Sequence, residues 1–115
     1  MRAVKDWDAY SAGLRTQGKA HSALHPDLVK GFAALNQGAA SARHLDAKTR
    51  ELIALAVAVT TRCDGCIDAH VRKAKHAGAT REEMAEALGV AIALNAGAAF
   101  TYALHALDAA EEAGA

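Results

Sequence analysis

The chain has 115 residues, a length that fits one domain, and a domain this small leaves much apolar surface uncovered unless it associates with copies of itself. Thirteen basic side chains balance thirteen acidic ones, so nothing draws the protein electrostatically to nucleic acid or to an anionic membrane. Charges at Lys5, Asp6 and Asp8 break the apolar stretch that a secretory signal requires, and two cysteines in such a chain read as thiols of a reducing cytoplasm.

Proline occurs once, alanine is abundant, and sustained clusters of β-branched or aromatic residues with period two are absent, so the chain is predicted to be all-α, with about six helices joined by short connections. A first helix is expected over roughly residues 4 to 22, with Trp7, Tyr10 and Leu14 on one side. A second begins near Pro26, a favourable first-turn residue, and ends near Gly38. Asp46 is placed to cap a third helix, "AKTRELIALAVAVTTR", whose apolar run from Leu52 to Val59 makes it central. A fourth carries both cysteines and stops at Gly78, and Thr80 with Glu83 supplies the capping-box pattern of a fifth.

Along the fifth helix Gly89, Ala93 and Gly97 recur every four residues, which permits close approach of another backbone, while Asn95 and Gly97 also suit a break before a sixth helix. From Ala87 to Leu107 no Lys, Arg, Asp or Glu occurs. The stretch has the length of a membrane span, but its Ala and Gly content, with Asn95, Thr101 and His105, reads as a buried helical layer. The polar end "DAAEEAGA" is expected to fray. The basic run Arg72, Lys73, Lys75, His76 reads as a solvated helix face.

The chemistry concentrates in "TTRCDGCIDAHVRKAKHAG", residues 60 to 78. At about 100° per residue, Cys63, Cys66, His70, Ala74 and Ala77 fall in one narrow arc, with Asp68, Arg72 and Lys75 opposite. The two thiols and the imidazole are therefore expected on an inward face. Two cysteines three apart at a helix start close a disulfide with little backbone movement, and the helix terminus favours a thiolate. His70 lies one turn beyond Cys66, roughly 6 Å between β-carbons, which makes Cys66 the thiol it can deprotonate. Cys63 lies nearer the exposed amides, which argues for the opposite assignment.

If the third and fourth helices form an antiparallel pair turning near Thr61 and Arg62, Glu51 lies about 15 Å down one and His70 about 10 Å down the other. Long side chains bridge such an offset. Glu51 would then orient His70; the alternative is a first-turn glutamate that only complements its own helix N-terminus or pairs at the surface.

The segment "KTRELIALAVAVTTRCDGCIDAHVRKAKHAGATREEMAEAL" resembles the carboxymuconolactone decarboxylase superfamily, and within it the AhpD-like alkylhydroperoxidases. Their signature is a glutamate, a Cys-x-x-Cys twelve residues later, and a histidine four after the second cysteine. Glu51, Cys63, Cys66 and His70 have that spacing, and the resemblance covers roughly residues 43 to 105. It implies a helical fold whose central hairpin carries the site, assembled as a trimer or hexamer, with no cofactor and no metal. It also implies a peroxidatic Cys66, a resolving Cys63, a proton relay through His70 and Glu51, a peroxide substrate, and a dithiol or thiol-protein reductant. The best-known peroxidases of the family carry a histidine between the cysteines, where this chain has Asp64 and Gly65.

Two other readings stand beside the oxidoreductase. Cys63, Cys66 and His70, with Glu51, His44 or His105 as a fourth ligand, could bind zinc, although no second Cys-x-x-Cys accompanies them. An oligomeric helical protein with inert, buried thiols is the third. His21, His25, His44, His76 and His105 read as surface or satisfied core residues and are assigned no role in the oxidoreductase, with an interface the alternative for His105.

Overall fold

The computed structural model describes residues 3–41 and 43–114. Among them all regular structure is helical: α1 (Trp7–Leu24), α2 (Pro26–Ala40), α3 (Ala47–Thr60), α4 (Asp64–His76) and α5 (Arg81–Glu112). The contacts group these into two units, residues 1–50 and 51–115.

In the first unit α1 packs against α2. Asp6 caps α1 by accepting from the Ala9 amide at 3.1 Å. Trp7 meets Tyr10 edge to face at 5.9 Å, and the Lys5 ammonium sits 4.2 Å above the Tyr10 ring. His25 ends α1 and precedes Pro26 at the first position of α2, where the missing proline N–H has no helical partner to lose. Neither helix buries a side chain.

The boundary between the units falls within α3, whose capped start belongs to the first unit and whose remainder opens the second. The Asp46 carboxylate accepts from the Thr49 amide at 2.7 Å. That bond, joined by one from the Thr49 hydroxyl, holds the Asp46 carboxyl below its usual range. The lowered value means the cap contributes above the ordinary carboxylate range and is lost as pH falls through the depressed value. Glu51, Leu55 and Ala58 are the buried residues of α3; Ala74 of α4 is wholly buried and Ala91 of α5 is buried too.

Two turns connect them. Between α3 and α4, Arg62 adopts φ +55, and the reversal is held by the Cys63 amide donating to the Ala58 carbonyl at 3.0 Å. Between α4 and α5, Gly78 has φ +91, and the Ala79 amide returns to the Ala74 carbonyl at 2.9 Å. The Thr80 hydroxyl accepts from the Glu83 amide at 3.0 Å while the Glu83 carboxylate accepts from the Thr80 amide at 2.9 Å, the reciprocal box expected from the sequence.

Four expectations are corrected. The count is five helices, because α5 runs through Asn95 and Gly97 without a break. An interior glycine costs a helix about 1 kcal/mol but does not end it, and the Asn95 amide group is satisfied by the Ala91 carbonyl at 2.7 Å and the Thr60 hydroxyl at 2.9 Å. A methyl group at Gly89 or Gly97 would meet no atom within 4 Å, so the close approach expected of that spacing is not made within the chain. The uncharged part of α5 is also not buried in the single chain. Met84, Ala87, Leu88 and Ala91 face inward, but beyond them Leu94, Phe100, Tyr102, Leu104 and Leu107 are exposed, because a helix of about 48 Å far outreaches the 14 residues of α3. By length and composition alone α5 could also cross a membrane. The polar end stays helical to Glu112.

The turn conformations have measurable consequences. Gly78→Ala places a side chain at positive φ and destabilises the protein by about 1 to 2 kcal/mol, and Thr80→Ala removes a cap worth about 1 kcal/mol. Arg62→Gly stabilises by up to about 1 kcal/mol, since relief of the left-handed conformation outweighs the entropy of glycine. Urea midpoints should move in these directions with the m-value unchanged.

Candidate active site

The site assembles where α3 and α4 run antiparallel. Glu51, just past the first turn of α3, is 9% exposed, and its Oε2 lies 2.6 Å from Nδ1 of His70 on α4. This bond crosses nineteen positions of sequence and makes the hairpin's two arms a single scaffold. A buried carboxylate needs such a partner, because removing an isolated charge from water costs several kcal/mol. An ionised carboxylate in that place accepts from the Nδ1–H tautomer, which leaves Nε2 as the ring position that can take a proton.

Cys63 is the N-cap of α4. Its sulfur accepts from the Cys66 amide at 3.2 Å, using one of the first-turn donors that a helix cannot satisfy internally. Cys63 and Cys66 are joined as a disulfide, with α-carbons 5.2 Å apart, inside the range that such a bond needs. His70 follows Cys66 by one helical turn, so their side chains share a face of α4.

All four residues singled out from the sequence lie on one hairpin, Glu51 paired with His70 and Cys63 with Cys66. The inward placement expected for both sulfurs is corrected: Cys66 is exposed and Cys63 half-buried. Cys63 is a cap with extended backbone and so does not follow the wheel of the helix it starts, while Cys66 lies in the first turn of that helix. Asp68, expected on the solvated side, has a side chain only 9% exposed and accepts from Arg72 Nε at 3.0 Å. That burial comes from the helix's surroundings, which periodicity alone does not contain.

Among the described residues no cluster of three or more His, Cys, Asp or Glu side chains is arranged to hold a metal ion. On the far side of α3 from Glu51, an apolar groove of about 370 Å³ runs between α3 and α5, with Ile53, Val57, Val90 and Leu94 along it and Thr60 and Asn95 at one end.

Comparison with known proteins places this hairpin in context. The family model of the carboxymuconolactone decarboxylase family matches residues 26–109. An uncharacterized protein of Haemophilus influenzae is 51% identical over 104 residues, 90% of this chain and 92% of that one. Uncharacterized protein 4 in the cox locus of Paracoccus denitrificans is 43% identical over 81 residues, 70% of this chain and 73% of its own. Among solved structures, an apo carboxymuconolactone decarboxylase family protein from Legionella pneumophila superposes with a TM-score of 0.73 at 40% identity, covering 92% of this chain and 95% of that one. Matched from residue 26 to residue 109 and alike in fold across nearly its whole length, the chain belongs to the carboxymuconolactone decarboxylase family.

Proposed function

We propose that the protein is a thiol-dependent peroxidase or disulfide oxidoreductase of the AhpD-like kind. The reading rests on one observation above all: the Glu51–His70 bond at 2.6 Å on the same hairpin as the Cys63–Cys66 pair. Inert thiols would have no use for an imidazole oriented by a buried carboxylate one turn away, whereas a reactive thiol needs a base in that place.

In the reduced protein, His70 Nε2 takes the proton of Cys66. The Cys66 thiolate attacks the terminal oxygen of a hydroperoxide; the O–O bond breaks, the sulfur becomes a sulfenic acid, and the departing alkoxide receives the proton from His70. The Cys63 thiolate then attacks the Cys66 sulfur and expels hydroxide, which leaves as water after protonation and closes the disulfide. A dithiol or thiol protein supplies the two electrons that reopen it. Asp64 and Gly65 occupy the positions between the cysteines, so Glu51 and His70 constitute the whole relay in this scheme. The working location is a reducing cytoplasm.

The assembly belongs to the same proposal. α3 is apolar on the groove side as well as on its buried side, with Ile53 and Val57 half-exposed or more, and α5 carries Phe100, Tyr102 and Leu107 in the open. A helix that is apolar all round belongs in an interior, and copies of this chain, as a trimer or hexamer, would cover these faces.

With dithiothreitol as reductant, Cys66→Ser should lose peroxide consumption altogether. Without any thiol present, Cys63→Ser should stop after one turnover, with a sulfenic acid that dimedone traps. Glu51→Gln should slow the peroxide step by about 10- to 100-fold. Undiminished consumption by Cys66→Ser would refute the assignment. Sedimentation equilibrium should give a mass several times the 11.9 kDa of the chain, and Phe100→Glu should lower it; a monomeric wild type would refute the assembly.

A further inference from the structure

The two sulfurs of the disulfide are not equivalent, and the difference has a chemical direction. Resting on the reading that this disulfide is turned over by thiols, we propose that the incoming reductant bonds to Cys66 and that Cys63 is the leaving thiolate.

Three features of the site point the same way. A thiolate attacking a disulfide approaches one sulfur along the line of the S–S bond, from the side remote from the other sulfur. Cys66 is the exposed member of the pair and Cys63 the half-buried one, so Cys66 has the open approach. The sulfur that departs must carry the negative charge. Cys63 is the N-cap of α4 and its sulfur already accepts from the Cys66 amide at 3.2 Å, so the charge forms where an N–H donor and the helix terminus stabilise it. Finally, His70 lies one turn beyond Cys66 and is held by Glu51 at 2.6 Å, positioned to protonate the Cys66 sulfur when that in turn departs.

The electrons and atoms balance over two exchanges. In the first, one thiolate of a dithiol attacks the Cys66 sulfur; a new S–S bond forms, the Cys63–Cys66 bond breaks, and Cys63 leaves as thiolate. In the second, the other thiol of the reductant attacks its own mixed-disulfide sulfur, and Cys66 departs with a proton from His70. The reductant ends as a disulfide and both protein cysteines are reduced. The assignment makes Cys63 the residue that must stay free to return: a partner bound through Cys66 is released by Cys63 attack if its second thiol is slow. Asp64, in the first turn of α4, sets its carboxylate near the same terminus, so the amide and the helix end act against that charge.

The test needs no peroxide. The intact protein is oxidised with diamide, mixed briefly with glutathione, quenched in acid, and capped with N-ethylmaleimide; digestion and fragment mass spectrometry then locate each adduct on residues 63–72. The expected product carries glutathione on Cys66 and maleimide on Cys63, in roughly tenfold excess or more over the reverse. The same protein unfolded in guanidinium chloride should lose that preference. Glutathione mainly on Cys63, comparable amounts on both, no disulfide after diamide, or an unchanged preference in the unfolded chain would each overturn the proposal. A protein that consumed no peroxide could still give the Cys66 adduct, and an active peroxidase could still give the Cys63 adduct, so the two failures are distinguishable.

Discussion

The hydrogen bond between Glu51 and His70 is the constraint on which the rest of the site depends. It is made by a carboxylate with 11% of its side chain exposed and an imidazole with 29% exposed, where the surrounding dielectric strengthens it relative to water. It also fixes one hairpin arm against the other, because it lies well away from the turn and so resists sliding of α3 along α4. Losing either partner would leave a polar group in an apolar layer, which costs more than the bond itself contributes.

The connection that makes the bond reachable is unusually short. Three residues, Thr61 to Cys63, separate α3 from α4, and the reversal is bought with a left-handed Arg62. The same turn leaves Cys63 as a cap rather than a helical residue. Backbone economy at the turn and chemistry at the site are therefore one feature: the residue that starts α4 is also the sulfur that its first turn stabilises. Small side chains at Ala58 and Ala74 then leave the hairpin thin enough for a glutamate on one arm to reach a histidine on the other.

Most of the apolar surface lies away from this hairpin. Leu55 is the one large side chain that the chain buries almost completely among the described residues, whereas α5 and the groove side of α3 leave leucine, isoleucine, valine and aromatic side chains exposed. A core so dependent on alanine gains little from each contact, since burial scales with apolar area. The geometry of the site is thus set within one hairpin, while most of the large apolar side chains of α5 and of the groove side of α3 stay exposed.

The sequence by itself determined what depends on neighbours within about four residues. Asp46, Thr80 with Glu83, and Gly78 marked helix ends because capping bonds and positive φ are local requirements, and the Cys63, Cys66, His70 spacing was legible because helical period alone aligns positions one turn apart. Glu51 was reached only by supposing an antiparallel hairpin. The tertiary structure decided the rest: that the carboxylate meets Nδ1 across nineteen positions, that Cys66 faces outward while Cys63 caps, that Asp68 is covered, and that α5 continues past Asn95 because Thr60 of another helix supplies a partner. Each of these turns on a group contributed from elsewhere in the chain or on a backbone angle at a turn, and neither is written in the periodicity of a single helix.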